Sequence, residues 1–278
     1  MKRTRLPGRR THLRLRPALT LVVVLLGAPP QFAVADDMTR FLDLKSDEFT
    51  KADMTRSEVA AALAAAASAD IVDLSGRRLN RLDLSGMDLR KVKLQAARLN
   101  GTRLVGANLD GVVLDQAWAL NADLTGASMR GASLFATQLM GARLDGVNLS
   151  GARLAADLSR ASLRGARLDR ADLSADMRNQ SMGLMRGVLR SAKLDGASLE
   201  HANLSRAVLE FASLRDASLK GAKLNGSELA GADLHGADVS DADFDNADVT
   251  STRLTGLRGR DQARNLDRVK NAGRAFQD

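Results

Sequence analysis

A five-residue phrase, repeated from about Val72 to Leu257, constrains this chain more than any other feature. It reads Ala107-Asn108-Leu109-Asp110-Gly111, then Ala122-Asp123-Leu124-Thr125-Gly126, then Ala197-Ser198-Leu199-Glu200-His201. The form is a small residue, a polar residue, Leu, and two more polar residues. A fixed internal period decides architecture before any local propensity does. In a straight α-helix, residues five apart are rotated by roughly 140°, so Leu74, Leu79, Leu84 and Leu89 would scatter around the axis. In a flat strand an odd step moves each successive Leu to the opposite face. A chain that turns one corner per quintet keeps every Leu inside, with the small residue two places earlier. Gly106, Gly111, Gly126 and Gly131 end their quintets, where they ease a tight corner.

The phrase resembles the A(D/N)Lxx pattern of the pentapeptide-repeat family. That resemblance implies an all-β solenoid: a right-handed quadrilateral β-helix with four quintets per coil. The sequence holds about 37 such quintets, counting Met177 and Met182 as core positions, or roughly nine coils. At about 4.8 Å between stacked strands the solenoid is about 43 Å long.

Four segments follow. Residues 1–35 read as a signal peptide. Lys2, Arg3, Arg5, Arg9, Arg10, Arg14 and Arg16 precede an apolar run from Ala18 to Ala28, and Ala33-Val34-Ala35 fits a cleavage site. Arg9-Arg10 also suits twin-arginine export, so general-secretory and twin-arginine routes both stay open. The chain carries 41 Lys and Arg against 33 Asp and Glu. Seven of the basic residues lie in the leader, which leaves the mature protein close to neutral. Its basic balance is therefore no argument for nucleic-acid binding. Residues 36–71 hold a polar lead-in, a short helix around 47–52 and a capping helix from about Ser57 to Ser68, started by Thr55-Arg56-Ser57-Glu58. Residues 72–257 are the repeat. Residues 258–278 are basic and suggest either a short amphipathic helix over 265–270, capping the last coil, or a frayed tail.

The repeat slips between 155 and 188. One residue is missing before Leu158 and one before Met177, and two are added before Leu189. Either the segment is a defect filled by adaptable Met side chains or 179–187 leaves the coil as a binding loop. On the last full coil Asp233, Asp238, Asp243 and Asp248 occupy outward positions on four successive sides, a diverging acidic girdle suited to solvation.

In a four-sided coil, residues twenty apart are vertical neighbours. This places Trp118 and Leu120 beside Gln138 and Met140, with Val113 and Phe135 on the adjoining side and Arg78 and Arg98 upstream of Trp118. Trp118, Leu120, Phe135 and Met140 are therefore candidate protein-binding residues. Local repacking around Ala119, which stands where Leu is expected, is the competing reading. Cys is absent, which removes disulfides and thiolate metal sites. His12, His201 and His235 form no constellation, and there is no phosphate loop or nucleophile–base pair. No cofactor is expected. The reading is an exported, non-catalytic interaction protein, periplasmic or secreted. It presents its surface to a protein partner or to a second copy, with no nucleic acid and no membrane span after cleavage. The alternative, suggested by the family resemblance, is a DNA mimic that protects a topoisomerase.

Overall fold

A computed structural model describes residues 42–66, 70–177 and 185–277 of the chain. The expected leader, 1–35, lies outside the described residues. The chain divides into two units, 1–42 and 43–278, and every element below belongs to the second.

Four vertical columns of parallel β-bridges organise that unit. They begin at Asp73, Arg78, Asp83 and Asp88 and advance by twenty residues, as in Asp83, Arg103, Asp123 and Arg143. The contact segments are so short that only Val72–Asp73 (β1) and Val92–Lys93 (β2) qualify as strands; elsewhere each rung is a single bridge. Backbone bonds nevertheless run from coil to coil throughout. Leu109 N–H donates to Ser128 O (2.7 Å), and Ser128 N–H donates to Ala107 O (2.9 Å). Each corner is a β-turn closed by a bond such as Val112 N–H to Leu109 O (3.1 Å). The corner residue takes a left-handed conformation, which explains the recurrent Gly; Asn121, His201 and Phe211 adopt it as well.

The interior is a stack of the two inward positions. Ala107 and Leu109 have no exposed surface, and the same pair is buried from Leu99 through Val249. Burying each Leu contributes about 1.5–3 kcal/mol. Where Thr replaces the inward Ala, its hydroxyl finds a carbonyl: Thr102 donates to Leu79 O (2.7 Å), Thr137 to Leu114 O (2.8 Å) and Thr252 to Leu229 O (2.8 Å). A buried hydroxyl without such a partner would oppose folding.

The N-terminal side is closed by two helices, α1 (Asp47–Thr50) and α2 (Arg56–Ala65). Thr55 and Glu58 form a reciprocal capping box that starts α2. Val59 of α2 is fully buried in the core. Between the helices Ala52 pairs antiparallel with Leu79, and Asp53 N–H donates to Arg78 O (2.8 Å). The edge of the first coil is thus covered along part of its length.

Two features differ from the sequence reading. First, Met177 is not a core position; it is 44% exposed. The expected core position at Met182 lies outside the described residues, but the columns pass directly from Leu173 to Leu189. Asp157 pairs with Val188, 31 residues on, and Gly187 N–H donates to Leu173 O (2.9 Å). The chain therefore leaves the coil after Ala175, whose N–H still donates to Ser205 O (3.2 Å), and returns at Gly187. A Cβ at Gly187 would stand 2.9 Å from Leu173 Cβ and 3.0 Å from Leu173 O, so the point of return admits only Gly. In the preceding coil the same corner is one residue short. Ala155 and Ala156 turn it tightly, with Ala156 N–H donating to Leu154 O (2.8 Å).

Second, the C-terminal segment is neither an amphipathic α-helix nor a frayed tail. It is one more turn of the solenoid, built on six-residue steps. Arg258, Arg264, Lys270 and Phe276 pair with Asp238, Asp243, Asp248 and Arg253. Left-handed Gly259, Asn265 and Asn271 each open a short 3-10 helix, Arg260–Gln262, Leu266–Arg268 and Ala272–Arg274. A continuous α-helix would satisfy its own backbone groups and leave the edge of the preceding coil unpaired.

Candidate functional site

The residues predicted as an apolar patch gather where α1 meets the solenoid, but they do not form an open surface. Phe49 of α1 is 7% exposed and packs edge-on against Trp118, with ring centroids 5.3 Å apart at 71°. The Arg98 guanidinium stands 5.4 Å from the Phe49 ring and 5.8 Å from the Trp118 ring. It also forms an ion pair with Glu48 at 2.5 Å. Arg98, placed upstream of Trp118 by the twenty-residue period, is therefore a cation–π neighbour of that ring, and a second aromatic ring shares it. Leu120 is buried, at 8% exposure, and Trp118 is half-buried. The expectation that these two stand open is corrected on this point: the chain's own N-terminal segment covers them. Phe135 and Met140 are half-buried as well, and Arg153 lies over the Phe135 ring at 4.5 Å.

Two buried asparagines clip the segment down. Asn80 donates from Nδ2 to Glu48 O (3.0 Å) and Lys51 O (2.9 Å), and Asn100 donates to Phe49 O (3.3 Å). Their side-chain oxygens accept from the next coil, Asn80 from Asn100 N–H and Asn100 from Leu120 N–H, both at 3.0 Å. Asn at 80 and 100, twenty apart and breaking an otherwise varied column, was the available signal in the sequence. It pointed to this clamp only once Phe49 was placed.

The acidic girdle is not a solvated end. Bridges pair Asp233 with Arg253, Asp238 with Arg258, Asp243 with Arg264 and Asp248 with Lys270, so a basic ring stacks directly on an acidic one. All four carboxyls are held below the ordinary carboxylate range. Burial is the largest single influence and opposes ionisation at each, but hydrogen bonds and cations together outweigh it. Asp233 accepts from His235 N–H and Arg215, Asp238 from Ser240 and Lys220, Asp243 from Asn265, and Asp248 from Asn271 and Thr250. Asp233 also lies 3.5 Å from Arg253.

Among the described residues, no group of three or more His, Asp or Glu side chains converges to hold a metal. His201 lies across Gly221, while His235 Nδ1 meets Thr255 Oγ1 at 2.9 Å on another side. No described helix is long and apolar enough to cross a membrane.

A family model described as pentapeptide repeats matches the chain in eight copies, at residues 72–106, 107–144, 137–175, 188–221 and 212–250. No curated protein sequence matches it. Among solved structures it is similar to HetL, a pentapeptide repeat protein involved in heterocyst differentiation regulation from the cyanobacterium Nostoc sp. strain PCC 7120. The identity is 29%, over 80% of this chain and 94% of that one, with a TM-score of 0.43. It is also similar to QnrB1, a plasmid-mediated fluoroquinolone resistance protein, at 20% identity over 75% of this chain and 92% of that one, with a TM-score of 0.46.

Proposed function

Because the chain belongs to the pentapeptide-repeat family, we propose that it is an exported, non-catalytic scaffold presenting fixed solenoid surfaces to an envelope or extracellular protein. In this reading the solenoid is a right-handed quadrilateral β-helix of about nine coils. The leader is removed after Ala35, by either export route, and the protein works in the periplasm or outside the cell.

One observation carries the interaction reading. The chain leaves the solenoid between Ala175 and Gly187, yet the columns on both sides of the gap stay in register. An insertion between columns that stay in register is suited to recognition. Phe135 and Met140 are the accessible candidates on the neighbouring coils. Trp118 and Leu120 support the N-terminal segment that would form part of the same surface. A DNA mimic needs an extended acidic face, and the columns alternate instead, as in Asp83, Arg103, Asp123 and Arg143.

The test has two parts. N-terminal mass spectrometry of protein recovered from the envelope and the medium should find Asp36 as first residue. Capture from those fractions should then be compared between the mature chain, a form with 175–186 replaced by a short Gly-Ser link, and Phe135→Ala/Met140→Ala. Intact protein beginning at Met1 and confined to the cytoplasm would end the export reading. Equal capture by all three forms would end the assignment of the surface.

A further inference from the structure

Beside Trp118 the N-terminal segment leaves a cavity of about 320 Å3, with Leu44 and Phe49 on one wall and Leu120 on the other. Its polar groups are mostly spent. Asn100 is committed to Phe49 O and Leu120 N–H, and the Thr50 hydroxyl donates to Ser46 O at 2.8 Å. The acids of α1 are engaged too, Glu48 by Arg98 and Asp47 by Lys51. What stays free at the mouth is a cation. Arg81 has no ion pair among the described residues, and its stem passes 3.5 Å from where a Cβ of Gly101 would stand. The Arg81 stem lies within ordinary contact distance of the Gly101 corner along this wall, and Asn121 completes the lining.

A half-open cavity with three apolar side chains and one unspent guanidinium on its walls selects an anion with an apolar body. The volume has room for about ten heavy atoms. We propose that this cavity binds a medium-chain monocarboxylate, its carboxylate on Arg81 and its hydrocarbon tail against Leu44, Phe49 and Leu120. A phosphate or sulfate would leave those walls unfilled, and an uncharged chain would leave the guanidinium unanswered.

Trp118 is the only tryptophan of the chain and packs against Phe49 of the cavity wall, so its emission reports on this region of the solenoid. The full chain would be titrated with octanoate, acetate and 1-octanol, followed by tryptophan fluorescence and in parallel by calorimetry, so that a spectrally silent ligand is still detected. Octanoate should bind saturably below its micellar range, with acetate and 1-octanol at least tenfold weaker. Arg81→Gln should weaken octanoate at least tenfold and leave 1-octanol unchanged, while Arg81→Lys keeps most of the affinity. Equal binding of octanoate and 1-octanol, octanoate binding untouched by Arg81→Gln, or no saturable heat or emission change with octanoate would each overturn the proposal. None of these outcomes depends on export or on a protein partner.

Discussion

The corner glycines allow a test of how side chains on successive coils interlock. At Gly231, with φ of +69°, a Cβ would fall 2.6 Å from both Cδ1 and Cε1 of Phe211, the corner residue one coil below. At Gly111, with φ of +72°, nothing lies within 4 Å. Gly111→Ala therefore incurs only the left-handed backbone penalty, about 1–2 kcal/mol. Gly231→Ala incurs that and must also expel the Phe211 ring. The ring is already half in solvent, so the packing it can still lose is about 1 kcal/mol, half the value of a fully buried Phe. The expected losses are about 1–2 kcal/mol for Gly111→Ala and about 2–3 kcal/mol for Gly231→Ala. The extra loss should vanish when Gly231→Ala is made on a Phe211→Ala background, giving a coupling of about 1 kcal/mol. Because repeat arrays do not always unfold in one step, native-state hydrogen exchange of the Phe211 and Gly231 amides is the appropriate readout alongside denaturant melts. Those amides donate to Ala230 O (2.9 Å) and Thr250 O (2.8 Å). Equal losses at Gly111 and Gly231, or strict additivity with Phe211→Ala, would refute the interlock.

Three other expectations follow from the geometry. Because Asp233, Asp238, Asp243 and Asp248 have folded-state pKa values below their unfolded ones, their stabilisation is complete above about pH 4 and is lost as pH falls through the depressed values. Amide exchange across 258–276, corrected for intrinsic rates, should accelerate below that pH before the exchange of 92–154 does; simultaneous loss would contradict the stacked-ring account. Asn80→Ala strips the N-terminal segment of two part-buried hydrogen bonds and leaves the buried Asn100 N–H unmet, at about 1–3 kcal/mol. The Trp118 emission should shift to the red as Phe49 lifts, and an unchanged spectrum would count against the clamp. Asp88 is held at about 2 by its hydrogen bonds from Arg90, so its carboxyl should titrate near that value by NMR and return toward the ordinary range in Arg90→Gln.

The period of five was enough to place every central core position from Leu74 to Leu154, because a strict repeat leaves one geometry in which all the Leu side chains are buried together. It also placed Trp118 and Arg98 one above the other. It could not show what covers them. Phe49 lies outside the repeat, and no spacing rule links it to position 118. Met177 was counted as a core position because a Met four residues after Leu173 imitates a short quintet, whereas the backbone had already left the coil. The final turn escaped for the opposite reason. Its inward residues Ala263, Val269 and Ala275 are six apart and weakly apolar, so the segment resembled a fraying helix. The basic ring then had no visible place, and the acidic girdle beneath it read as an end exposed to solvent.

The direction of the coil-to-coil bonds has a mechanical consequence. The chain runs across the solenoid while its backbone hydrogen bonds run along it, from each coil to the next. A pull along the axis therefore opens one coil's bonds at a time, as in peeling, and does not shear many together. Each coil released yields twenty residues of chain, about 70 Å when drawn out. The coil between Asp157 and Val188 yields 31 residues, or about 105 Å. In a force–extension trace that one long step would stand among equal short ones, an internal mark of how far along the solenoid the unravelling has run.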